Sequence, residues 1–89
     1  MKTIWKYKLE VPVTILEIPK PAKIISTDIQ QDEIVVWAVV DSEESTVNRA
    51  VLALNTGTRT PDDIEDERFI GTVTSSNGIV WHIFEGLLP

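Results

Sequence analysis

Polar and apolar residues alternate along most of this chain, a pattern that is typical of β-strands. In the first segment Trp5, Tyr7 and Leu9 fall on one face of an extended chain, while Lys6 and Lys8 fall on the other. Similar strand-like segments follow near residues 13–18, 23–30, 33–41, 49–55, 69–74 and 79–85. Short strands at this spacing, separated by turn-forming residues, predict an all-β domain, a small antiparallel sandwich or barrel of six to seven strands.

The fourth predicted strand differs from the others because it is apolar throughout. Residues 34–40 form the longest apolar run in the chain, which predicts the centre of a sheet. Such a strand is expected to be covered on both faces, by a second sheet layer or by a partner subunit. Tight turns are predicted at Gln31-Asp32 and at Ser76-Asn77-Gly78. The longest loop spans residues 56–67, and loops of that length in compact domains are often functional or mobile.

Length and composition indicate one small domain over residues 1–89. A chain of this size buries only roughly 60–65% of its unfolded surface, and it contains no cysteine that could form a disulfide. Its stability therefore depends on a well-packed core or on self-association, and the second route predicts a homo-oligomer. We find no signal-peptide pattern at the start and no apolar run of membrane-spanning length, so a cytoplasmic protein without a membrane partner is expected.

Charge is distributed unevenly along the chain. Residues 1–23 carry a net charge of +3 and residues 24–89 carry −9, which gives −6 for the whole chain. This balance argues against a protein that binds nucleic acid polymers, because phosphate contacts need a dominant basic surface. A local basic strip on the first strand, which includes Lys6 and Lys8, can still hold a small anion.

No recognisable catalytic or metal-binding motif is present in the sequence. His82 is the single histidine, which argues against a histidine-based metal site and against a Ser-His-Asp triad. It is predicted to share one strand face with Val80 and Phe84, or else to contact a ligand or respond to pH. The acidic run 62–67 lacks the alternating spacing of a calcium loop and is expected to be solvated. We therefore expect no enzymatic activity, no cofactor and no metal.

The loop after the fifth predicted strand contains the pattern Thr56-Gly57-Thr58-Arg59. Backbone N–H groups and hydroxyls in such a loop can bind an anion, and the arginine adds a fork for phosphate or carboxylate. The loop is not a P-loop, since neither the lysine motif nor a following helix is present. The alternative is a plain turn in which Gly57 adopts a positive φ and Arg59 pairs with nearby acids.

Three tryptophans, Trp5, Trp37 and Trp81, each lie in the middle of a predicted strand. Large rings at such positions usually fill a core or an interface. A thin core cannot easily bury all three, so we expect at least one at a subunit contact or on a pocket wall. In that position an aromatic ring can stack on a planar ligand such as a base.

Several segments together resemble a family of small proteins encoded by tailed phages, prophages and assorted bacteria. They are IWKY (residues 4–7), IPKPAKI (18–24), VWAVVD (36–41), NTG (55–57), FIGTV (69–73) and VWHIFE (80–85). Pro21 stands where the family usually has glycine, and residues 59–61 extend the loop after the Thr-Gly pair. The family has no settled activity. By analogy of context and size, the resemblance implies a compact homo-oligomer that sequesters a nucleotide immune signal without cleaving it.

The sequence and the resemblance together predict a non-enzymatic binding protein for a small anionic, nucleotide-derived ligand, held at or near a subunit interface. The predicted ligand-binding residues are Trp5, Lys6, Lys8, Trp37, Thr56, Gly57, Thr58, Arg59, Trp81 and His82. Tryptophan would stack on the base, the cations would meet phosphate, and the Thr-Gly-Thr loop would supply donors. The alternatives are a protein that docks on a host or phage protein, a small virion component, and a hydrolase with converging carboxylates.

Overall fold

The computed structural model describes residues 1–64 and 67–86, and seven β-strands account for most of them. The strands are β1 (Lys2–Lys8), β2 (Val13–Pro19), β3 (Lys23–Gln30), β4 (Glu33–Asp41), β5 (Thr46–Asn55), β6 (Arg68–Thr74) and β7 (Val80–Gly86). The predicted all-β architecture is therefore confirmed. In the described part of the chain, no helix has the length and apolar character needed to cross a bilayer.

The strands form two sheets packed as a small sandwich. The first sheet has the order β1-β4-β3 and the second the order β2-β5-β7-β6, and all neighbouring strands are antiparallel. β4 lies between β1 and β3, which confirms that the most apolar strand is at a sheet centre. The connections β1–β2, β2–β3 and β4–β5 each pass from one sheet to the other, so the two layers are interlinked along the chain.

Alternation along the central strands builds the core between the sheets. On β4, Val36, Ala38 and Val40 point inward and are at most 1% exposed, and on β5 Val51 and Ala53 do the same. The other members of the core cluster are Leu9, Leu16, Ile18, Ile24, Ile34, Val73 and Ile83. The opposite sides of the same strands form the two outer surfaces of the sandwich.

The two sheets approach closely where β3 runs beside β6. A Cβ atom added at Gly71 on β6 would lie only 2.9 Å from Cγ2 of Thr27 on β3. At the start of β6, Nη2 of Arg68 donates a hydrogen bond of 3.2 Å to the carbonyl oxygen of Ile24 on β3. Glycine at position 71 therefore permits a backbone approach that a side chain would obstruct.

Both predicted hairpin turns are confirmed. Gln31 and Asp32 have φ values of 52° and 62°, the left-handed pair of a two-residue type I′ turn between β3 and β4. Between β6 and β7, the amide of Gly78 donates to the carbonyl of Ser75 at 2.9 Å, and Gly78 has a φ of 87°.

β5 begins at Thr46, three residues before the predicted start at Arg49. Residues 46–48 pair with residues 17–19 of β2, and this partnership extends the strand beyond its apolar segment. The polar side chain of Asn48 concealed the extension in the sequence, because strand length there is set by the neighbouring strand.

Candidate functional site

A pocket of about 320 Å³ opens on the outer surface of the four-stranded sheet, where β5 ends and the long loop begins. Its lining residues are Leu54, Asn55, Thr56, Gly57, Thr58, Thr60, Ile64, His82 and Phe84. β5 and β7 supply the floor, which is formed by the outward-facing Leu54, His82 and Phe84. Ala53 and Ile83, between them in the chain, point into the core instead. The loop supplies a wall of hydroxyls and backbone. This pocket contains four of the ten sequence-predicted ligand residues.

A tight turn shapes the loop wall of the pocket. Gly57 has a φ of 91°, which only glycine adopts readily, and the amide of Thr58 donates to the carbonyl of Asn55 at 3.2 Å. The Thr58 hydroxyl donates to the same carbonyl at 2.5 Å and lies 2.8 Å from Oδ1 of Asn55. The turn is therefore held by its own side chains, and its geometry does not depend on a bound ligand.

His82 is held on both sides of its ring by threonine hydroxyls. Nε2 lies 2.7 Å from Oγ1 of Thr56 at the end of β5, and Nδ1 lies 3.2 Å from Oγ1 of Thr72 on β6. In a neutral imidazole one nitrogen donates and the other accepts, so each hydroxyl complements one nitrogen. What the half-buried ring offers to the pocket is therefore a fixed planar surface rather than a free nitrogen.

Arg59 is next to the pocket but not part of its lining. Its side chain is 88% exposed, and Nη2 lies 3.8 Å from Oδ1 of Asp62. Positive φ at Gly57 together with an Arg59–acid pair is what the plain-turn alternative predicted, and both features are present. They coexist with the pocket, since Thr56, Gly57 and Thr58 line it. An exposed pair of this kind is held weakly, so Arg59 is free to reorient.

The acidic run 62–67 is only partly described, because Glu65 and Asp66 lie outside the described residues. Asp62 takes part in the pair with Arg59. Within residues 1–64 and 67–86, no group of three or more histidine or acidic side chains is placed to hold a metal ion.

Lys6, Lys8 and Trp37 lie on the opposite surface of the sandwich, the outer face of the three-stranded sheet. Lys6 pairs with Trp37 in the β1–β4 register, and its Nζ donates to Oε1 of Gln30 at 3.0 Å. Nζ of Lys8 lies 3.2 Å from a carboxylate oxygen of Glu33, and this contact raises the pKa of Lys8. The predicted site therefore divides between two surfaces, and these two lysines already have polar partners.

The other two tryptophans point into the sandwich. Trp5 pairs with Ala38 and shares its inward face, but it remains 40% exposed because β1 is an edge strand of its sheet. Trp81 packs against the core and lines a second cavity of about 240 Å³ at the end of the sandwich, together with Ile29 and Ile34. The 320 Å³ pocket has no tryptophan in its lining, and Phe84 provides its phenyl ring.

Sequence reasoning did not single out Leu54, Asn55, Thr60, Ile64 or Phe84 as pocket residues, nor Thr72 as a partner of His82. Strand alternation could have found Leu54 and Phe84, because Phe84 shares a face with His82 on β7 and Leu54 lies two positions before Thr56 in the chain. Thr60, Ile64 and Thr72 could not have been found, since only the folded loop and the β6–β7 pairing bring them there.

Comparison with curated proteins and with solved structures found no match. A comparison with family models matched residues 1–88 to a family described as a domain of unknown function (DUF7352). That description includes neither an activity nor a source, so the resemblance to phage proteins stays a prediction. Because the match spans nearly the whole chain, this protein belongs to the DUF7352 family.

Proposed function

We propose that this protein is a non-catalytic binding module whose 320 Å³ pocket holds a small planar, nucleotide-derived molecule. The observation that carries the proposal is the meeting of the Thr56-Gly57-Thr58 loop with His82. These elements are 26 residues apart in the chain and are joined by the 2.7 Å contact between Thr56 and the imidazole. The sequence singled out both groups as ligand contacts before their proximity was evident.

The lining of the pocket suits a nucleobase. Small-molecule sites are usually concave and mostly apolar, with a few polar groups that fix orientation. Here Leu54 and Phe84 supply apolar surface, the His82 ring supplies a second planar surface, and the loop supplies hydroxyls and backbone groups. Every nucleobase can stack on an aromatic ring, and the edge of the base can form hydrogen bonds with hydroxyls and backbone groups.

The charge around the loop limits how many phosphates the ligand carries. Arg59 is the only cationic residue in the segment 54–64, and Asp62 and Asp63 follow it closely. Arg59 can leave its exposed pair with Asp62 and bind one phosphate in bidentate fashion. A polyphosphate would face uncompensated repulsion from the acids, so we infer a ligand with a single phosphate group near the loop.

We propose binding without catalysis because of the environment of His82. A hydroxyl that lies 2.7 Å from an imidazole nitrogen has the geometry of a nucleophile next to its general base. In catalytic triads a carboxylate on the other ring nitrogen stabilises the imidazolium that forms. In this protein that nitrogen faces the neutral hydroxyl of Thr72. Proton transfer from Thr56 would therefore leave an imidazolium without an anionic partner on that side.

The resemblance to phage proteins supports a narrower form of the proposal. A homo-oligomer in the host cytoplasm that retains a nucleotide immune signal would need tight binding and no turnover. Such a role is consistent with a pocket whose polar groups are already held in place before a ligand arrives.

Native mass spectrometry with a panel of cyclic and ADP-ribose-type nucleotides tests the proposal. We expect the wild-type protein to retain an unmodified nucleotide at fixed stoichiometry. Phe84→Ala and Arg59→Ala should weaken retention at least tenfold, since each removes one of the two recognition elements. Lys6→Ala, on the opposite surface, is the matched control and should leave retention unchanged.

Two results would contradict this function. Failure to retain every nucleotide in the panel would shift the function to docking on a protein partner. Conversion of a nucleotide into a product, abolished in Thr56→Val, would show instead that the Thr56–His82 pair is catalytic.

A further inference from the structure

The outer surface of the four-stranded sheet is unusually apolar. Strand register aligns Val13, Leu52, Phe84 and Phe69 in one row that crosses all four strands. The neighbouring row contains Ile15 beside Ala50. We call these six residues the apolar face.

Much of the apolar face is open to solvent. Phe69 is 56% exposed, Ile15 53% and Val13 48%. The ring of Phe69 meets that of Phe84 edge to face, with centroids 5.3 Å apart, so the two rings form one continuous apolar surface. Single exposed apolar residues are ordinary, but a contiguous patch on a small protein usually marks an interaction site.

Charged side chains of the same sheet point the other way, into the sandwich. Arg49, Arg68 and Glu85 share the inward face with Val51, and both arginines pair with Glu85 there. Among the outward-facing strand positions of this sheet that the structure describes, Glu17 at the edge of the face is the only charged residue. The inward face is still mainly apolar, but the outward face lacks the charged residues that a solvated antiparallel sheet usually presents to water.

We propose that the apolar face is a homodimer interface, on which a second copy of this chain lies through its own apolar face. The carboxylate of Glu67, which directly precedes β6, lies against Gly86 beside this surface, so the apolar face has few charges rather than none. Such a surface offers little to complement a strongly charged partner, whereas a second copy presents the same apolar surface in return. The net charge of −6 opposes association through most other parts of the molecule. On the apolar face this repulsion is smaller, because most of the charged residues lie elsewhere.

The available area is sufficient for a stable dimer. The molecule is a slab with extents of 40 × 31 × 16 Å, so each broad face carries about a quarter of the 5610 Å² of accessible surface. A standard interface takes about 800 Å² from each partner, which is little more than half of such a face. Burial of this surface also supplements the thin core of a chain that has no disulfide.

The dimer would also enclose the ligand pocket. Phe84 belongs both to the apolar face and to the pocket lining, and Leu54 and His82 lie beside it on the same surface. A second copy on this surface would border the pocket on its open side. The interface itself does not depend on the proposed ligand, so the two proposals can fail separately.

Sedimentation velocity on ligand-free protein over a wide concentration range tests the interface. We expect the wild-type protein to sediment as a species of twice the chain mass. Phe69→Glu places a charge in the interface and should raise the dimer dissociation constant about a hundredfold or more, because dimerisation would then bury a carboxylate that has no partner. Ile4→Glu is the matched control: Ile4 is also 56% exposed but lies on the outer face of the other sheet, and this variant should remain dimeric.

A second variant guards against misfolding. Ile15→Lys lies on β2, away from Phe69, and should also give a monomer while its circular dichroism spectrum stays that of the wild type. A wild-type monomer at every concentration would overturn the proposal and leave the apolar face to a different protein. Equal dissociation in Ile4→Glu and Phe69→Glu would likewise overturn it, since the effect would then not be confined to this face.

Discussion

Arg49 on β5 and Glu85 on β7 form an ion pair inside the sandwich rather than on its surface. Nε of Arg49 donates to Oε2 of Glu85 at 2.6 Å, and Nη2 donates to the same oxygen. Their side chains are only 25% and 10% exposed. Arg49 also donates to the carbonyl of Ala22 at 3.2 Å, just before β3 begins. Arg68 lies 3.9 Å from the second oxygen of Glu85, so one carboxylate serves two arginines that reach across to the other sheet.

Glu85→Gln should lower the free energy of unfolding by about 2 kcal/mol, because it leaves the partly buried Arg49 and the half-exposed Arg68 without this anionic partner. Urea denaturation measures this loss. The double variant Arg49→Met with Glu85→Leu should recover most of it, since apolar side chains tolerate this site better than one unpaired charge. Arg59→Ala, which removes an exposed pair, is the control and should change little. If Glu85→Gln left the free energy of unfolding unchanged, the cluster would be stabilised by packing rather than by charge.

Tyr7→Phe should leave the protein equally stable or stabilise it by about 1 kcal/mol. The Tyr7 hydroxyl oxygen is buried, and no described residue forms a hydrogen bond with it. Removing a buried hydroxyl that lacks a partner removes a desolvation cost and leaves the ring in place. Urea denaturation at neutral pH measures the difference, and a loss of more than about 1 kcal/mol would reveal a partner for the hydroxyl.

Burial raises the pKa of Tyr7 above its usual value, because the phenolate is poorly solvated inside the sandwich. The unfolded chain therefore releases this proton first as the pH rises. The contribution of Tyr7 to stability is intact below about pH 10 and is lost as the pH climbs towards the raised pKa of the folded protein. Tyr7 is the only tyrosine in the chain, so tyrosinate absorbance follows it alone. A midpoint at the unfolded value would contradict its burial.

Gly71→Ala should destabilise the protein by about 1–3 kcal/mol, because its Cβ would overlap the methyl group of Thr27. Thr27→Ser removes that methyl group but keeps the hydroxyl that donates to the carbonyl of Val35 at 2.8 Å. The double variant should therefore be more stable than the sum of the two single changes predicts. Thermal or urea unfolding of all four proteins gives the coupling, and strict additivity would show that β3 and β6 are further apart.

Gln31→Asn combined with Asp32→Gly should stabilise the protein by up to about 1 kcal/mol. Both residues have a positive φ, and Asn-Gly is the preferred pair for a type I′ turn. Asp32→Ala serves as the control, because alanine keeps the cost of the left-handed backbone and should give no gain. Urea denaturation distinguishes the two variants, and an equal effect would mean that the turn backbone is not under this constraint.

Strand positions and turns were predictable because they depend on residues that are close together in the chain. Alternation in β1 placed Trp5 and Lys6 on opposite faces, as the structure confirms, and the fold then decided which of the two faces points inward. Two-residue turn chemistry located Gln31-Asp32. The pairing of β2 with β5 was not predictable, since register between distant strands leaves no local pattern. The early start of β5 was missed for the same reason.

The candidate site was only half predictable. Local loop chemistry pointed to Thr56, Gly57 and Thr58, and strand alternation placed His82 on a face with Phe84. The sequence offered no way to assign Trp37 and Lys6 to the opposite surface, because that depends on which sheet each strand joins. Aromatic and cationic residues were therefore grouped by chemical type, whereas the fold separated them.

By itself the sequence determined an all-β domain with seven strand segments, two hairpin turns and a loop of candidate binding residues, because period and turn chemistry are local properties. Tertiary structure decided the division into two sheets, the inward position of Arg49 and Glu85, and the meeting of Thr56 with His82. These features depend on contacts between residues far apart in the chain. Such contacts form only when the sheets pack, so a local sequence pattern does not encode them.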